Sequence, residues 1–115
     1  MALRNALVGL AVSSLLATVM AAQAARAEGD AKQLFVDGKC VRCHSIDAQG
    51  VAAKPKEGKE DEVHDLSQVG SERDADWIQQ FLRKEVKLDG KKHKQKYRGS
   101  DEDLTTLALW LSSLK

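Results

Sequence analysis

The residues best suited to chemistry stand together in the run Cys40-Val41-Arg42-Cys43-His44. Two thiols three positions apart, followed at once by an imidazole, form the attachment pattern of c-type haem. On a short helical turn, Cys40 and Cys43 lie close enough for both sulfurs to reach the two vinyl groups of one porphyrin. His44 then faces the iron and becomes its proximal ligand. The motif therefore predicts one haem c, attached covalently through Cys40 and Cys43.

Other uses of a C-x-x-C pair fit this sequence less well. A thioredoxin-like redox pair belongs in a βαβ setting, and the sequence shows no strand-rich pattern. A zinc site needs four ligands, and the chain has no second cysteine pair to supply them. A structural disulfide is disfavoured between two cysteines this close in sequence.

Residues 1–27 have the pattern of a secretory signal. A positively charged start precedes an apolar stretch from Ala6 to Ala22, and Ala25-Arg26-Ala27 forms an A-x-A cleavage site, with Ala22-Gln23-Ala24 as the alternative. An uncleaved membrane anchor is the competing interpretation, since the stretch approaches the roughly 17 residues that a span needs. We expect cleavage, which leaves residues 28–115 as one small domain in the periplasm with no membrane insertion.

Removal of that segment changes the composition of the chain. Met1 and Met20 are the two methionines and both lie in it, so the mature domain contains none. Arg4 and Arg26 leave as well, and the loss of these two charges turns the formal net charge from +1 to −1. A chain of this size has a modest core and often needs a staple. A covalently held haem is a large apolar body that fills such a core, so we expect the apo form to fold poorly.

Helices and loops account for the mature chain, and no strand periodicity or internal repeat is present. Asp30 is placed to cap a short helix over residues 31–36 that ends near Gly38. Residues 45–63 are predicted to form a solvated loop. A second helix is predicted from about Asp74 to Val86, capped by Ser71 or Asp74. Its apolar stripe consists of Trp77, Ile78, Phe81 and Leu82.

The end of the chain predicts a turn, a polar loop and a final helix. Leu88-Asp89-Gly90 has the composition of a turn, and a lysine-rich loop follows around His93. Ser100 opens the last helix with Asp103 at capping-box spacing. The buried stripe of that helix is predicted to consist of Leu104, Leu107, Trp110, Leu111 and Leu114.

With its elements in this order, the mature chain resembles the class I monohaem cytochrome c family along almost its whole length. That family has an N-terminal helix ending in C-x-x-C-H, an intermediate helix, a ligand loop and a C-terminal helix that crosses the first. The resemblance implies an all-α fold wrapped around one haem, with Ala31 and Phe35 crossing Leu107 and Trp110. It also implies an electron carrier and not an enzyme.

The family usually presents a methionine as the distal iron ligand a few residues before the last helix. This mature chain has none, and His93 stands seven residues before Ser100, where the methionine would be expected. We therefore expect His93 to be the distal ligand, giving a bis-histidine iron; the competing interpretation is a plain polar residue in a solvated loop. His64 is the second choice as ligand. Lysine is less suitable because it holds its proton to about pH 10; the lysines in question are Lys91, Lys92, Lys94 and Lys96.

His64 also marks a second departure from the family. It stands where the family often has a proline whose carbonyl accepts a hydrogen bond from the proximal histidine. The backbone carbonyl of His64 is expected to serve the same purpose, fixing the His44 ring and making it a stronger donor to iron. By a weaker analogy, the family suggests Arg73 and Trp77 as hydrogen-bond donors to the haem propionates.

Charge is unevenly distributed along the chain. Residues 83–98 contain eight basic residues against two acidic ones, and residues 57–76 contain eight acidic residues against two basic ones. In the family fold the basic segment borders the exposed haem edge, so we expect it to steer acidic redox proteins. A loop that is merely soluble is the alternative. The near-zero net charge of the mature chain argues against nucleic acid as a partner.

A low-spin haem with two strong axial ligands changes little in geometry on reduction and has no open position for a substrate. The sequence therefore favours a soluble, monomeric periplasmic carrier of single electrons between respiratory redox partners. The alternative is a haem-based gas or redox sensor, or a small haem enzyme, whose distal residue dissociates and whose acid–base group is His64. A chain of this size has little room for a substrate cavity.

Overall fold

The computed structural model describes residues 2–115, and the side chains of residues 18–23 and 25–115. Its helices are α1 (Ala2–Asp37), α2 (Val69–Glu72), α3 (Ala75–Leu82) and α4 (Asp101–Ser112). Two small ladders accompany them: parallel strands β1 (His44–Ser45) and β2 (His64–Asp65), and antiparallel strands β3 (Lys87–Leu88) and β4 (Lys91–Lys92). Short 3₁₀ turns lie at Cys40–Arg42, Asp47–Gln49 and Glu60–Glu62. The fold is mostly helical, as predicted, whereas the two ladders and the short helix α2 were not expected.

The core forms where α1 packs against α4. Ala31 and Phe35 of α1 and Leu107 and Trp110 of α4 are all buried in one cluster. The rings of Phe35 and Trp110 meet edge to face, with centroids 6.2 Å apart and planes at 75°, which is a favourable aromatic geometry. Ala31 has no exposed surface, and its small side chain lets the two helices approach closely. The crossing predicted from the sequence is confirmed.

Helix α1 is much longer than predicted. It runs unbroken from Ala2 to Asp37, so the prediction that Asp30 caps a short helix was wrong. The residues before Asp30 are rich in alanine, the strongest helix former, and they continue the helix. The helix ends where expected, with the Gly38 N–H donating to the Leu34 carbonyl at 2.9 Å.

Most side chains of the predicted export signal lie outside the described residues. The backbone of α1 passes through the predicted cleavage site as continuous helix. Among the described residues, no helix combines the length and the apolar character that crossing a bilayer requires.

The predicted N-caps of α3 and α4 are present. The Asp74 carboxylate accepts a hydrogen bond from the Trp77 N–H at 2.8 Å at the start of α3. The Ser100 hydroxyl accepts one from the Asp103 N–H at 3.1 Å at the start of α4. Each bond satisfies a backbone donor that the first helical turn leaves without a partner. The predicted stripe of α4 is buried throughout, at Leu104, Leu107, Trp110, Leu111 and Leu114.

Helix α3 ends at Leu82, four residues before the predicted end. Lys84 adopts a left-handed conformation with φ 62°. Its N–H donates to the Phe81 carbonyl at 3.0 Å, and the next N–H, of Glu85, donates to the Gln80 carbonyl at 2.9 Å. These two bonds define a Schellman motif, which terminates the helix. Glycine usually occupies the left-handed position, and lysine in its place hides the signal from sequence analysis.

The loop after β1 contributes to the core, which the prediction of a solvated loop missed. Ile46 has no exposed surface and Val51 is buried. Their backbones exchange two hydrogen bonds, from the Ile46 N–H to the Val51 carbonyl at 2.9 Å and back at 3.1 Å. The remaining charged residues up to position 62 are exposed, as predicted.

Gly70 of α2 is required by its contact with the end of the chain. Its N–H donates to the Leu114 carbonyl at 2.7 Å, and a Cβ at this position would lie 2.1 Å from the Ser112 carbonyl oxygen. We expect Gly70→Ala to lower the free energy of unfolding of the haem-loaded protein by about 3 kcal/mol, as over-packing does. Chemical denaturation measures this.

The matched control is Gly29→Ala, in α1, where a Cβ meets nothing within 4 Å. Alanine is the better helix former, so this variant is expected to be as stable as the parent or slightly more stable. Equal stability of the Gly70 and Gly29 variants would contradict the close packing of α2 on the chain end.

Candidate functional site

The motif Cys40–His44 forms a tight turn directly after α1. Lys39 turns the chain with φ 60°, and residues 40–42 form one turn of 3₁₀ helix. The turn closes with the Cys43 N–H donating to the Cys40 carbonyl at 3.1 Å. No disulfide joins the two cysteines; Cys40 is half-buried and Cys43 is exposed. Burial raises the pKa of the Cys40 thiol. The turn therefore places two thiols next to each other at one edge of the core.

His44 is held by the parallel ladder between β1 and β2. The His64 N–H donates to the Cys43 carbonyl at 2.9 Å, and the Leu66 N–H donates to the Ser45 carbonyl at 2.9 Å. The His44 Nδ1 lies 3.3 Å from the His64 carbonyl oxygen. A carbonyl only accepts, so this long hydrogen bond requires the proton on Nδ1 and leaves the lone pair on Nε2. The contact expected in place of the family's proline carbonyl is present.

The surroundings of His44 favour a neutral ring. Burial lowers the pKa of His44 below its usual value. The hydrogen bond to the His64 carbonyl opposes this effect, and the nearby rings of His93 and His64 add to it. A neutral imidazole is the form that binds a metal, so the ring is ready to act as a ligand at neutral pH.

The Asp65 carboxylate holds the segment that carries the His64 carbonyl. One of its oxygens accepts hydrogen bonds from the Asp47 N–H at 3.1 Å, the Ser67 N–H at 3.0 Å and the Ser67 hydroxyl at 2.6 Å. These bonds hold the pKa of the Asp65 carboxyl below its usual range, and the bond from the Ser67 hydroxyl has the largest effect. Ionised Asp65 is therefore favoured by the folded state.

We expect Asp65→Asn to have a lower free energy of unfolding than the parent, but only at pH values where the Asp65 carboxyl of the parent is ionised. Because the folded-state pKa is lowered, the stabilisation is present above about pH 4 and disappears as the pH falls through the lowered pKa. Chemical denaturation of parent and variant between pH 7 and pH 2 should show the difference in their free energy of unfolding narrowing as the pH falls below about 4. Asp61→Asn removes an exposed carboxylate nearby, and an equally pH-dependent gap in that control would contradict the role of Asp65.

His93 is presented by a hairpin on the opposite side of the site. Asp89 and Gly90 have φ values of 50° and 78°, the pair of positive angles that a two-residue hairpin turn requires. The turn joins β3 to β4, and His93 follows directly. The His93 Nδ1–H donates to the Gln95 carbonyl, which leaves Nε2 of this ring available as well. The ring is half-buried against Phe81, with centroids 5.2 Å apart.

The rings of His44 and His93 lie close to each other with nearly parallel planes. Their centroids are 6.3 Å apart and their planes are 14° from parallel. A metal between two imidazoles has bonds of about 2 Å to each nitrogen, and each centroid lies about 1.1 Å further out, so the centroids are expected about 6.2 Å apart. The two predicted axial ligands therefore have the separation that one shared iron requires.

Comparison with models of protein families matched residues 29–115 to the family described as cytochrome c. This chain belongs to the cytochrome c family. The match begins before the cysteine turn and extends through α4, so it includes every part of the site. Searches of curated proteins and of solved structures found no match.

As a cytochrome c, the chain binds haem c covalently, through Cys40 and Cys43. The helical cytochrome c-like fold predicted from the sequence is confirmed. The haem supplies an iron that alternates between Fe(III) and Fe(II), and haem-based electron transfer is the activity of the family. The protein supplies the two thiols, and hydrogen bonds to backbone carbonyls hold the rings of His44 and His93.

Sequence analysis did not find the residues that position His93. Phe81 was assigned to a core stripe, yet its ring packs on His93. Gln95 carried no signal, because it contributes only its backbone carbonyl. Arg73, suggested for the propionates, has its guanidinium 4.3 Å above the Trp77 ring.

The basic segment 83–98 includes the loop that carries His93. Two of its charges are paired, Arg83 with Asp101 at 2.9 Å and Lys94 with Glu62 at 3.9 Å. The second pair is long and exposed, so it is weak. Lys84 is half-buried, and the remaining lysines of the segment are exposed: Lys87, Lys91, Lys92 and Lys96.

Proposed function

We propose that this cytochrome c is a monomeric carrier of single electrons on a bis-histidine haem, ligated by His44 and His93. We further propose that it works in the periplasm after removal of residues 1–27. The near-parallel rings of the two histidines, 6.3 Å apart, are the observation that carries the proposal. The bond from each Nδ1 to a carbonyl supports it, because each bond leaves Nε2 free for iron.

His64 is a poorer distal ligand than His93, although its ring centroid is also 6.3 Å from that of His44. His44 and His64 are directly paired partners in the parallel ladder, and paired strands lie only about 4.8 Å apart. A porphyrin plane cannot pass between two hydrogen-bonded backbones. The planes of these two rings also differ by 43°. His64 therefore acts through its carbonyl, on the proximal side.

Fixed ligands on both sides of the iron favour electron transfer over ligand binding. Each ring is hydrogen-bonded through Nδ1 to a backbone carbonyl, so neither ring has to move when the iron changes its oxidation state. A site that reorganises little exchanges electrons readily, and a closed iron offers no position to a gas or to peroxide. The sensor alternative requires the distal ring to leave.

A redox titration monitored by optical spectroscopy tests this function. We expect one reversible one-electron transition with a six-coordinate, low-spin haem in both oxidation states. A ferrous haem that becomes five-coordinate and high-spin would contradict the carrier function. That result would favour the sensor or enzyme alternative, in which the distal residue dissociates.

We also propose that the basic segment 83–98 docks acidic redox proteins. Its exposed lysines flank His93, and lysine-rich surfaces attract acidic partners at rates that fall with salt. Hexacyanoferrate(III), a small anionic oxidant that takes one electron and becomes hexacyanoferrate(II), serves as the probe. Its reaction with the ferrous protein should slow several-fold between low and physiological ionic strength.

Charge reversal within the segment provides the comparison. Lys91→Glu with Lys92→Glu should weaken the salt dependence, whereas Lys56→Glu, an exposed lysine outside the segment, should preserve most of it. A rate that is insensitive to salt in the parent, or equal losses in both variants, would contradict steering by the segment.

A further inference from the structure

A continuous stack of side chains leads from α3 to the ring of His93. The Arg73 guanidinium lies 4.3 Å above the ring of Trp77. Trp77 stacks on Phe81, with centroids 4.7 Å apart and planes 21° from parallel. Phe81 meets His93 edge to face, at 5.2 Å and 71°. The stack therefore ends on the residue proposed as the distal ligand.

The helix makes this stack rigid. Trp77 and Phe81 are four residues apart, so they lie on the same face of α3, one above the other. Asp74 caps the start of the helix, and the Schellman motif at Lys84 terminates it just after Phe81. Ile78 of the same helix is buried in the core, which holds the helix in place. The Phe81 ring is thus held in place by its stacking on Trp77 and by the fixed position of α3.

Two contacts define the orientation of the His93 ring. The hydrogen bond from Nδ1 to the Gln95 carbonyl fixes one edge, but a single bond allows the ring to rotate about it. The edge-to-face contact with the Phe81 ring restricts that rotation. The Tyr97 N–H donates to the Leu82 carbonyl at 2.9 Å, which closes the loop against the end of α3.

We propose that Phe81, supported by Trp77, is a positioning residue that sets the rotation of the His93 ring and so keeps the two ligand planes near parallel. The proposal rests on the proposed ligation by His93. The observed 14° between the planes of His44 and His93 is the property that Phe81 maintains. Its contact also opposes departure of His93 from the iron.

The angle between two imidazole planes has a direct spectroscopic signature. Parallel planes donate into the same d orbital of the iron and split the pair of orbitals that would otherwise be degenerate. The ferric electron paramagnetic resonance (EPR) spectrum is then rhombic. Planes that rotate towards perpendicular reduce the splitting, and the largest g value rises.

The test compares three variants of the haem-loaded protein by ferric EPR and by the rate of carbon monoxide binding to the ferrous form. Phe81→Leu removes the ring and retains much of the volume. Phe81→Tyr retains the ring. Ile78→Val trims a side chain of the same helix that is buried in the core, so it controls for general loosening of α3.

We expect a rhombic low-spin spectrum from the parent, Phe81→Tyr and Ile78→Val. Phe81→Leu should remain low-spin but show a raised and broadened largest g value. It should also bind carbon monoxide up to about tenfold faster, the scale of one aromatic edge contact.

A Phe81→Leu spectrum identical to that of a rhombic, low-spin parent would overturn the inference and leave ligation by His93 intact. The same spectral change in Ile78→Val would also overturn it, since loosening of the helix would then be the cause. A parent without a second imidazole ligand would overturn the ligation and the positioning role together. The state of the parent thus distinguishes the two failures.

Discussion

Replacing both Cys40 and Cys43 by alanine is expected to abolish covalent attachment of haem and to leave the domain poorly folded. The core between α1 and α4 is small, and several apolar residues pack on its outside while still partly exposed: Leu66, Val69, Leu82 and Tyr97. A domain of this size has a modest core and often needs a staple. The covalent haem supplies additional apolar surface at the turn formed by Cys40–His44, and under the proposed ligation it also links that turn to the loop that carries His93.

Haem staining after denaturing electrophoresis measures attachment, and circular dichroism measures the helix that remains. The double variant should show no haem stain and a large loss of helix. Each single variant retains one thiol and His44, so it should hold haem through one thioether and unfold more easily than the parent. Arg42→Ala, at an exposed position inside the motif, is the matched control and should behave as the parent. A double variant that stays stained, or that folds fully without haem, would contradict the role of haem as a staple.

Replacing His93 by methionine is expected to raise the reduction potential by roughly 0.1 V or more, because axial ligand identity sets haem potentials over a range of about 0.8 V. Methionine favours the ferrous state relative to histidine. In the parent, the hydrogen bond from the His93 Nδ1 to the Gln95 carbonyl makes the histidine a stronger electron donor to iron. The substitution removes this hydrogen bond.

His64→Met makes the same exchange at the other candidate. Because His64 contacts His44 through its backbone carbonyl, its side chain can change with little effect on the iron. Potentiometry of the parent and the two variants should show a large shift for His93→Met alone. A larger shift for His64→Met would transfer the distal role to His64.

The parts of the fold that follow from local chemistry were predictable from the sequence. Asp74 and Ser100 act as the predicted caps because a cap needs only one side-chain oxygen and the next turn of backbone. The contact of Phe35 with Trp110 followed from the helix crossing that the family resemblance implies. The hydrogen bond from His44 to the His64 carbonyl followed from the resemblance to a family pattern.

The features that were missed depend on backbone geometry or on distant contacts. Lys84 ends α3 in a left-handed conformation, for which a lysine gives no signal. Two-residue strands are too short for alternation to appear. Ile46 and Val51 are isolated apolar residues in a polar stretch, and only their paired backbones bring them into the core. The contact of Phe81 with His93 joins α3 to a loop beyond the hairpin, so no local pattern could predict it.

Carbon monoxide binding to the ferrous, haem-loaded protein tests most directly whether His44 and His93 close both sides of the iron. The parent should bind slowly or not at all, His93→Ala should bind readily, and His64→Ala should resemble the parent. Immediate binding by the parent would contradict the closed iron and favour the sensor alternative. Equal resistance of the parent and His93→Ala, with ready binding by His64→Ala, would show that His64 is the distal ligand instead.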